Sequence, residues 1–194
     1  RTGVLDTTKL HTYRYNEDLF KKVTTLADGK NHGLVFVLDW SGSMGSVLQD
    51  TLKQLYNLIW FCKKVNIPFE VYAFTNEWER PVYDVETEKY LPRNIKSRYD
   101  ITKPNQLHIS EDFSMMNILS SKCPSREFEK QMINMWRIAN HYSNIYHAHY
   151  AIPEQLSLSG TPLNEALLSL RHIIPQFQNE NKLQKVQCIV LTDG

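Results

Sequence analysis

Three short runs of apolar, strand-forming residues are spaced along the chain, at positions 34–38, 69–74 and 186–191. Each run is too short for a typical helix. The first is apolar at every position, which is typical of a parallel strand covered on both faces. The polar residues 75–79 after the second run predict a turn into a short edge strand near 80–83.

Patterns of helical period lie between these runs. After the first run, apolar residues recur at steps of four and three, at Leu48, Leu52, Leu55, Ile59 and Cys62. Leu58, Phe61 and Val65 are expected to widen this apolar stripe, and Pro68 to end the helix. A second helix is predicted to begin at Pro162 and to stop before Pro175. Its apolar face is formed by Leu163, Ala166, Leu167, Leu170 and Ile174.

The pattern is irregular between Asp84 and Leu158, a region that contains prolines at 92, 104, 124 and 153. Two helical stretches are visible there. The clearer one begins at Ser125, a residue type that commonly caps helix N-termini. Its apolar face contains Phe128, Met132, Met135, Ala139 and Tyr142. We interpret the region as a largely helical insertion on the main sheet, and we expect it to choose the binding partner.

Alternating strands and helices predict an α/β fold, namely a doubly wound, mostly parallel sheet with helices on both faces. We assign residues 1–33 to a lead-in segment, residues 34–194 to the domain and residues 84–158 to its insertion. The chain begins without methionine and stops directly after a strand. We therefore expect a piece of a longer protein, with C-terminal strands missing.

The charge balance narrows the possible functions. The formal net charge is only +1 and no run of lysine or arginine is present, which argues against binding nucleic acid. No apolar stretch approaches the length of a membrane span. Cys62, Cys123 and Cys188 are odd in number and lack paired spacing, which indicates a reducing, cytoplasmic compartment.

Polar side chains follow the first and last predicted strands. Asp39 comes directly after the first strand and Asp193 soon after the last. The carboxyl ends of parallel strands meet at one edge of a sheet, so we expect both carboxylates at that edge if the strands are neighbours. The turn after Asp39 adds the hydroxyls of Ser41 and Ser43, and a later loop adds Thr161.

Gly42 and Gly45 are expected to let the serine turn fold tightly enough to point its hydroxyls inward. The combined set contains two carboxylates and three hydroxyls, a set of oxygen ligands that suits Mg²⁺, with Mn²⁺ or Ca²⁺ as alternatives. Because the hydroxyls are neutral, the ion would keep positive charge and attract a carboxylate from a partner. The sequence therefore predicts a site that binds an Asp or Glu side chain of another protein.

The order of these motifs resembles the metal-ion-dependent adhesion site of von Willebrand factor A-type domains. The matching residues are Asp39, Ser41 and Ser43 after an apolar strand, then Thr161, then Asp193 before a glycine. The resemblance implies that the serines and the threonine bind the metal directly, while the aspartates act mainly through water.

A narrower resemblance is to the von Willebrand domain of the cobaltochelatase CobT subunit, whose relatives also occur in phages. Residues 3–10, 39–44 and 69–78 carry this likeness. It implies a cytoplasmic partner of an AAA+ ATPase of the MoxR or CobS type, in a chelatase or remodelling complex, without catalytic activity of its own. Thr161 is a departure, because the CobT proteins lack a threonine at this loop.

Two other interpretations remain open. Ser43 lies between small residues at a strand-to-helix turn, as does the nucleophile of a serine hydrolase. Against this, the usual first glycine is replaced by Ser41, and no histidine follows Asp193. His141, His147 and His149 form a histidine cluster that suggests zinc, but no nearby cysteine or carboxylate completes the set.

Overall fold

The computed structural model describes residues 31–76, 82–91, 109, 112–143 and 150–193. The chain divides into a unit at Arg1–Lys30 and a larger unit at Asn31–Gly194, and the described residues belong to the second. The predicted lead-in, residues 1–33, lies almost entirely outside them.

The elements follow one another as alternating strands and helices, with an additional hairpin and two short 3-10 helices at Ser43–Ser46 and Glu154–Leu156. The strands are β1 (His32–Asp39), β2 (Phe69–Asn76), β3 (Val82–Asp84), β4 (Lys89–Leu91), β5 (Phe113–Ser120) and β6 (Lys185–Leu191). The helices are α1 (Leu48–Val65), α2 (Ser125–Ser143) and α3 (Leu163–Glu180).

Four of the strands form one mixed sheet in the order β5-β2-β1-β6. Strand β1 is parallel to both β2 and β6, and β5 is antiparallel to β2. In the register, Leu38 lies opposite Leu191, and Asp39 opposite Phe74. The predicted α/β class is confirmed, and the sheet is mixed because it contains both parallel and antiparallel pairs.

Helices cover the two faces of this sheet. Phe36 and Leu38 of β1 pack in one core together with α1 and α2. Val35 and Val37 pack in a second core with α3. This two-sided burial explains why the first apolar run does not alternate with polar residues.

Helix α1 ends where the sequence predicts. Asn66 adopts a left-handed conformation (φ 57°), and its N–H bonds back to the carbonyls of Cys62 and Lys63. The predicted widening of the apolar stripe is wrong for two residues. Leu58 is 39% exposed and Phe61 is 57% exposed, so both lie outside the narrow buried face of the helix.

Helix α3 does not stop at Pro175, so the predicted end is wrong. The helix continues to Glu180, although an interior proline costs about 3 kcal/mol by removing a hydrogen bond. The additional turns bury Phe177 in the second core, next to Gly33 of β1. Leu167, which was expected on the buried face, is 48% exposed.

The predicted insertion contributes to the main sheet and its core. Strand β5, which the sequence pattern did not reveal, pairs with β2 along its whole length. The helix predicted at Ser125 is confirmed as α2, and it packs against α1. The edge strand expected near 80–83 is instead part of a separate hairpin of β3 and β4.

No helix in the described part of the chain is long and apolar enough to cross a membrane.

Candidate functional site

The carboxyl ends of β1 and β6 lie side by side at one edge of the sheet. Asp39 is the last residue of β1, and Thr192 and Asp193 follow the last residue of β6. The two strands are parallel neighbours, as the sequence argument required. The polar residues expected at this edge are therefore placed there by the sheet itself.

Asp39 is fully buried at this edge. Its Oδ2 accepts a hydrogen bond from the Thr192 hydroxyl, at 2.7 Å. Its Oδ1 is buried and has no hydrogen-bond partner among the described residues. An unpartnered buried carboxylate oxygen is costly, and a bound water or cation is one way in which native proteins complete its contacts.

The two serines of the turn after β1 are connected to Asp193. The Ser43 hydroxyl donates to Oδ1 of Asp193 at 3.1 Å, and the hydroxyls of Ser41 and Ser43 are 3.1 Å apart. Since the single proton of Ser43 is used on Asp193, Ser41 is the donor to Ser43. A chain of polar groups thus runs from the buried Ser41 to the exposed Asp193.

The loop that carries Thr161 is docked against the serine turn. Ser159 forms a parallel bridge with Ser41, in which Gly42 N–H donates to the Ser159 carbonyl at 2.8 Å. Ser159 N–H donates to the Trp40 carbonyl at 3.2 Å. Thr161 follows two residues later; it is exposed and is separated from the first residue of α3 by Pro162. The loops of all five predicted residues therefore meet at one edge.

Trp40 holds the loop that carries Thr161 in place. Its side chain is fully buried, and its indole N–H donates to the Leu156 carbonyl at 2.8 Å. Its backbone N–H bonds to the Phe74 carbonyl of β2 at 2.9 Å. Trp40 therefore connects the serine turn, the Thr161 loop and the central sheet.

The sequence reasoning missed Asn76, the last residue of β2. Its Oδ1 accepts a hydrogen bond from Gly160 N–H at 2.6 Å, directly before Thr161. Its Nδ2 donates to Oδ2 of Asp112 at 3.3 Å. The signal that could have revealed Asn76 is its position, since a polar residue at the carboxyl end of a central strand faces the same edge.

The predicted role of Gly42 and Gly45 is wrong. Gly42 has ordinary helical angles (φ −61°, ψ −35°), and a Cβ there would lie 3.8 Å from its nearest neighbour. A Cβ at Gly45 would lie 3.5 Å from Leu158. Among the glycines of these loops, Gly160 has the least room for a side chain, because a Cβ there would lie 2.5 Å from Oδ1 of Asn76.

The donor chemistry of the edge fits a hard divalent cation. The predicted donors are oxygen atoms of carboxylates and hydroxyls, the ligand type that Mg²⁺ and Ca²⁺ prefer. In the described ranges, no three His, Cys, Asp or Glu side chains are grouped closely enough to hold a metal ion, so the candidate set depends on its three hydroxyls as well as its two carboxylates. Of the histidine cluster, His147 and His149 lie outside the described residues.

The backbone at Ser43 does not have the geometry of a nucleophile elbow. Such a serine lies on a sharp, strained turn between a strand and a helix. Ser43 instead begins a short 3-10 helix, and positive φ among the described non-glycine residues occurs at Asn66, Glu88 and Lys182. Ser43 bonds to Ser41 and Asp193, neither of which is a histidine base.

The site joins three separate parts of the chain, namely the turn after β1, the loop before α3 and the end of β6. Hydrogen bonds connect all three to one another or to the central strands. No known protein family, no curated protein and no solved structure matches this chain.

Proposed function

We propose that this chain is a Mg²⁺-dependent protein-interaction module of the von Willebrand A type, which binds an Asp or Glu side chain of a partner. The observation that carries the proposal is the buried, unpartnered Oδ1 of Asp39, at the edge where Ser41, Ser43 and Asp193 converge. A carboxylate in this state is expected to be completed by a cation.

The residues that would hold the ion are the five oxygen donors of the three loops. They are Asp39, Ser41, Ser43, Thr161 and Asp193. Mn²⁺ and Ca²⁺ are compatible with the same donor types. With two carboxylates and otherwise neutral donors, the bound ion would supply a positively charged position for a carboxylate from outside.

The protein's own groups prepare this position. Thr192 fixes the orientation of the Asp39 carboxylate, and Asp193 orients the hydroxyls of Ser43 and Ser41 through their chain of hydrogen bonds. Asn76 and Trp40 hold the loop before Thr161. Such supporting contacts limit the reorganisation that binding requires.

The fold supports the same assignment. The sheet order β5-β2-β1-β6, with helices packed on both faces, fits a doubly wound arrangement of the von Willebrand A type. Doubly wound sheets bind ligands at the carboxyl end of a strand that has parallel neighbours on both sides, and β1 is such a strand. Asp39 lies at the end of that strand.

The partner that we propose is an AAA+ ATPase of the MoxR or CobS type, in a cytoplasmic chelatase or remodelling complex. The support for this choice is the CobT-like sequence at residues 3–10, 39–44 and 69–78. The free thiols of Cys62, Cys123 and Cys188 are compatible with a reducing compartment. The chain would bind the ATPase without catalysing a reaction itself.

We propose that partner choice depends on α2 within the predicted insertion, together with the residues around it. The last turn of α2 lies beside the serine turn, where Ser143 Oγ donates to the Gly45 carbonyl at 3.4 Å. One turn earlier, Asn140 accepts from Gln49 at 3.1 Å. Because β5 and α2 belong to the sheet and core, deleting the whole region would unfold the domain rather than test specificity.

The experiment that tests the proposed function is retention of host proteins on the immobilised chain, with Mg²⁺ or with chelator, alongside a calorimetric Mg²⁺ titration. We expect an AAA+ ATPase to be retained only with Mg²⁺. Ser43→Ala should lose both Mg²⁺ binding and the ATPase, whereas Ser46→Ala, an exposed serine of the same 3-10 helix, should keep both. Equal Mg²⁺ binding by wild type and Ser43→Ala would overturn the proposal.

A further inference from the structure

A groove of about 460 Å³ runs between α1 and α2, away from the residues of the candidate metal site. Its apolar lining is formed by Tyr56, Trp60, Met132, Ile133 and Trp136. The Tyr56 hydroxyl donates to the Met132 carbonyl at 2.6 Å, which holds the two helices together along the groove.

The groove exposes large apolar side chains. Trp60 is 50% exposed and Ile133 is 53% exposed. Lys53, which pairs with Asp50, lies with its ammonium 5.9 Å from the Trp136 ring. Exposed aromatic and aliphatic side chains grouped on one face are typical of a protein-binding surface.

Two opposite charges flank the apolar centre. Glu129 and Arg137 both line the groove, and neither side chain forms an ion pair or hydrogen bond with another described residue, although the Arg137 carbonyl accepts from Tyr150. Each lies four positions along α2 from Ile133, so each is about 6 Å along the helix from it. The charge pattern is therefore antisymmetric about the exposed isoleucine.

We propose that this groove is a dimer interface, in which α2 of a second copy of the chain packs antiparallel to α2 with the two-fold axis at Ile133. A two-fold interface brings each residue i opposite a residue j, and each j opposite an i. Glu129 would then face Arg137 of the second copy, and Arg137 would face its Glu129. Ile133 would meet its own equivalent at the axis.

The self-complementary charge pattern favours a second copy over an unrelated partner. A helix of any other protein would need a basic and an acidic residue at this same spacing around an apolar centre, which α2 itself already has. A parallel arrangement would place like charges opposite each other and is disfavoured. The aromatic side chains on both sides of the axis supply the apolar contact.

The test is sedimentation velocity on the whole chain between about 1 and about 200 µM, the range in which modest protein interfaces dissociate. We expect the wild-type mass to rise with concentration towards twice the 22.8 kDa of one chain. Mg²⁺ and chelator should give the same result, because the groove contains none of the proposed metal ligands.

Charge reversal tests the orientation of the helices. Glu129→Arg and Arg137→Glu should each weaken dimer formation at least about tenfold, because each places two pairs of like charges in contact. The double variant restores both pairs in reversed order, and should recover affinity to within about threefold of wild type. Failure of the double variant to recover would overturn the antiparallel arrangement.

Ile133→Asp tests the apolar centre, and Leu167→Asp is its control on α3, with a similar exposed fraction of 48%. We expect Ile133→Asp to sediment as a monomer and Leu167→Asp to behave as wild type. A wild-type chain that stays monomeric over the whole concentration range, or a dimer unaffected by Ile133→Asp, would overturn the proposal.

Discussion

The Thr192 hydroxyl donates a hydrogen bond to Oδ2 of Asp39, at 2.7 Å, and Oδ1 of the same carboxylate stays buried without a partner among the described residues. One strand end thus fixes the orientation of the carboxylate at the next strand end. The side chain keeps one oxygen available while it is held in place, which is the state expected of a pre-organised ligand.

Asp39→Asn is expected to abolish stabilisation by Mg²⁺. A ligand that binds only the folded state at 100 times its Kd stabilises it by about 2.7 kcal/mol. Wild type should show this gain in urea unfolding with and without Mg²⁺, and Asp39→Asn should show none. Without Mg²⁺ the variant should still fold, because the amide oxygen of asparagine can accept the Thr192 hydrogen bond in place of Oδ2.

The control for Asp39→Asn is Asp50→Asn. Asp50 lies on α1 with a 76% exposed side chain and pairs with Lys53. Its replacement should leave the Mg²⁺ response unchanged. An undiminished Mg²⁺ response in Asp39→Asn would contradict the assignment of this carboxylate to the site.

Gly160→Ala is expected to lower Mg²⁺ affinity by about tenfold, the lower end of the range for supporting residues of metal sites. The new Cβ would lie 2.5 Å from Oδ1 of Asn76, so the Asn76 side chain must move and its hydrogen bond from Gly160 N–H, which positions the loop before Thr161, is weakened. Titration calorimetry of Gly160→Ala against wild type measures the effect.

Gly42→Ala is the matched glycine control, since it lies in the serine turn with helical angles and 3.8 Å of space for a Cβ. It should bind Mg²⁺ as wild type does. Equal losses in the two variants would mean that the loops respond to any added methyl group, and that Asn76 has no particular role.

Gly33→Ala is expected to destabilise the fold by about 1 to 3 kcal/mol, the usual cost of overpacking a core. A Cβ on this residue of β1 would lie 2.8 Å from the Phe177 ring and would also meet Leu183. Urea unfolding should show the loss. Gly45→Ala, with 3.5 Å available, should stay within about 0.5 kcal/mol of wild type.

Tyr56→Phe is expected to cost about 1 kcal/mol at neutral pH, because the Met132 carbonyl loses its donor. Tyr150→Phe, which also removes a hydroxyl donor to a carbonyl of α2 but at an exposed position, should cost less. Unfolding curves of wild type, Tyr56→Phe and Tyr150→Phe measure both costs. Equal costs would contradict the expectation that a buried hydrogen bond contributes more to stability than an exposed one.

Tyr56 also predicts a pH dependence. Burial raises the pKa of its phenol above the usual 10.0, so the unfolded chain ionises this group first as pH rises. Its contribution to stability is complete below about pH 10 and is lost at higher pH towards the folded-state pKa. The difference in unfolding free energy between wild type and Tyr56→Phe should therefore decrease above pH 10.

Local pattern predicted the elements of the fold well where burial repeats with a regular period. The position of apolar residues indicates which side of an element is covered by its neighbours. This holds for the stripe of Leu52, Leu55 and Ile59 and for the run at 34–38. The same reasoning failed at Leu58, Phe61 and Leu167, because an apolar residue at the margin of a stripe is buried only if a neighbouring element reaches it.

The sequence by itself determined the strands and helices around β1, and it determined which polar residues follow those strands. Adjacent residues fix both properties, through side-chain period and through proline and glycine positions. Tertiary structure alone decided the pairing of β5 with β2, the passage of α3 through Pro175 and the contact of Asn76 with Gly160. Each of these depends on a segment that is distant in the sequence. That segment provides a sheet edge, a buried place for Phe177 or an N–H donor, and the local pattern of residues contains no information about it.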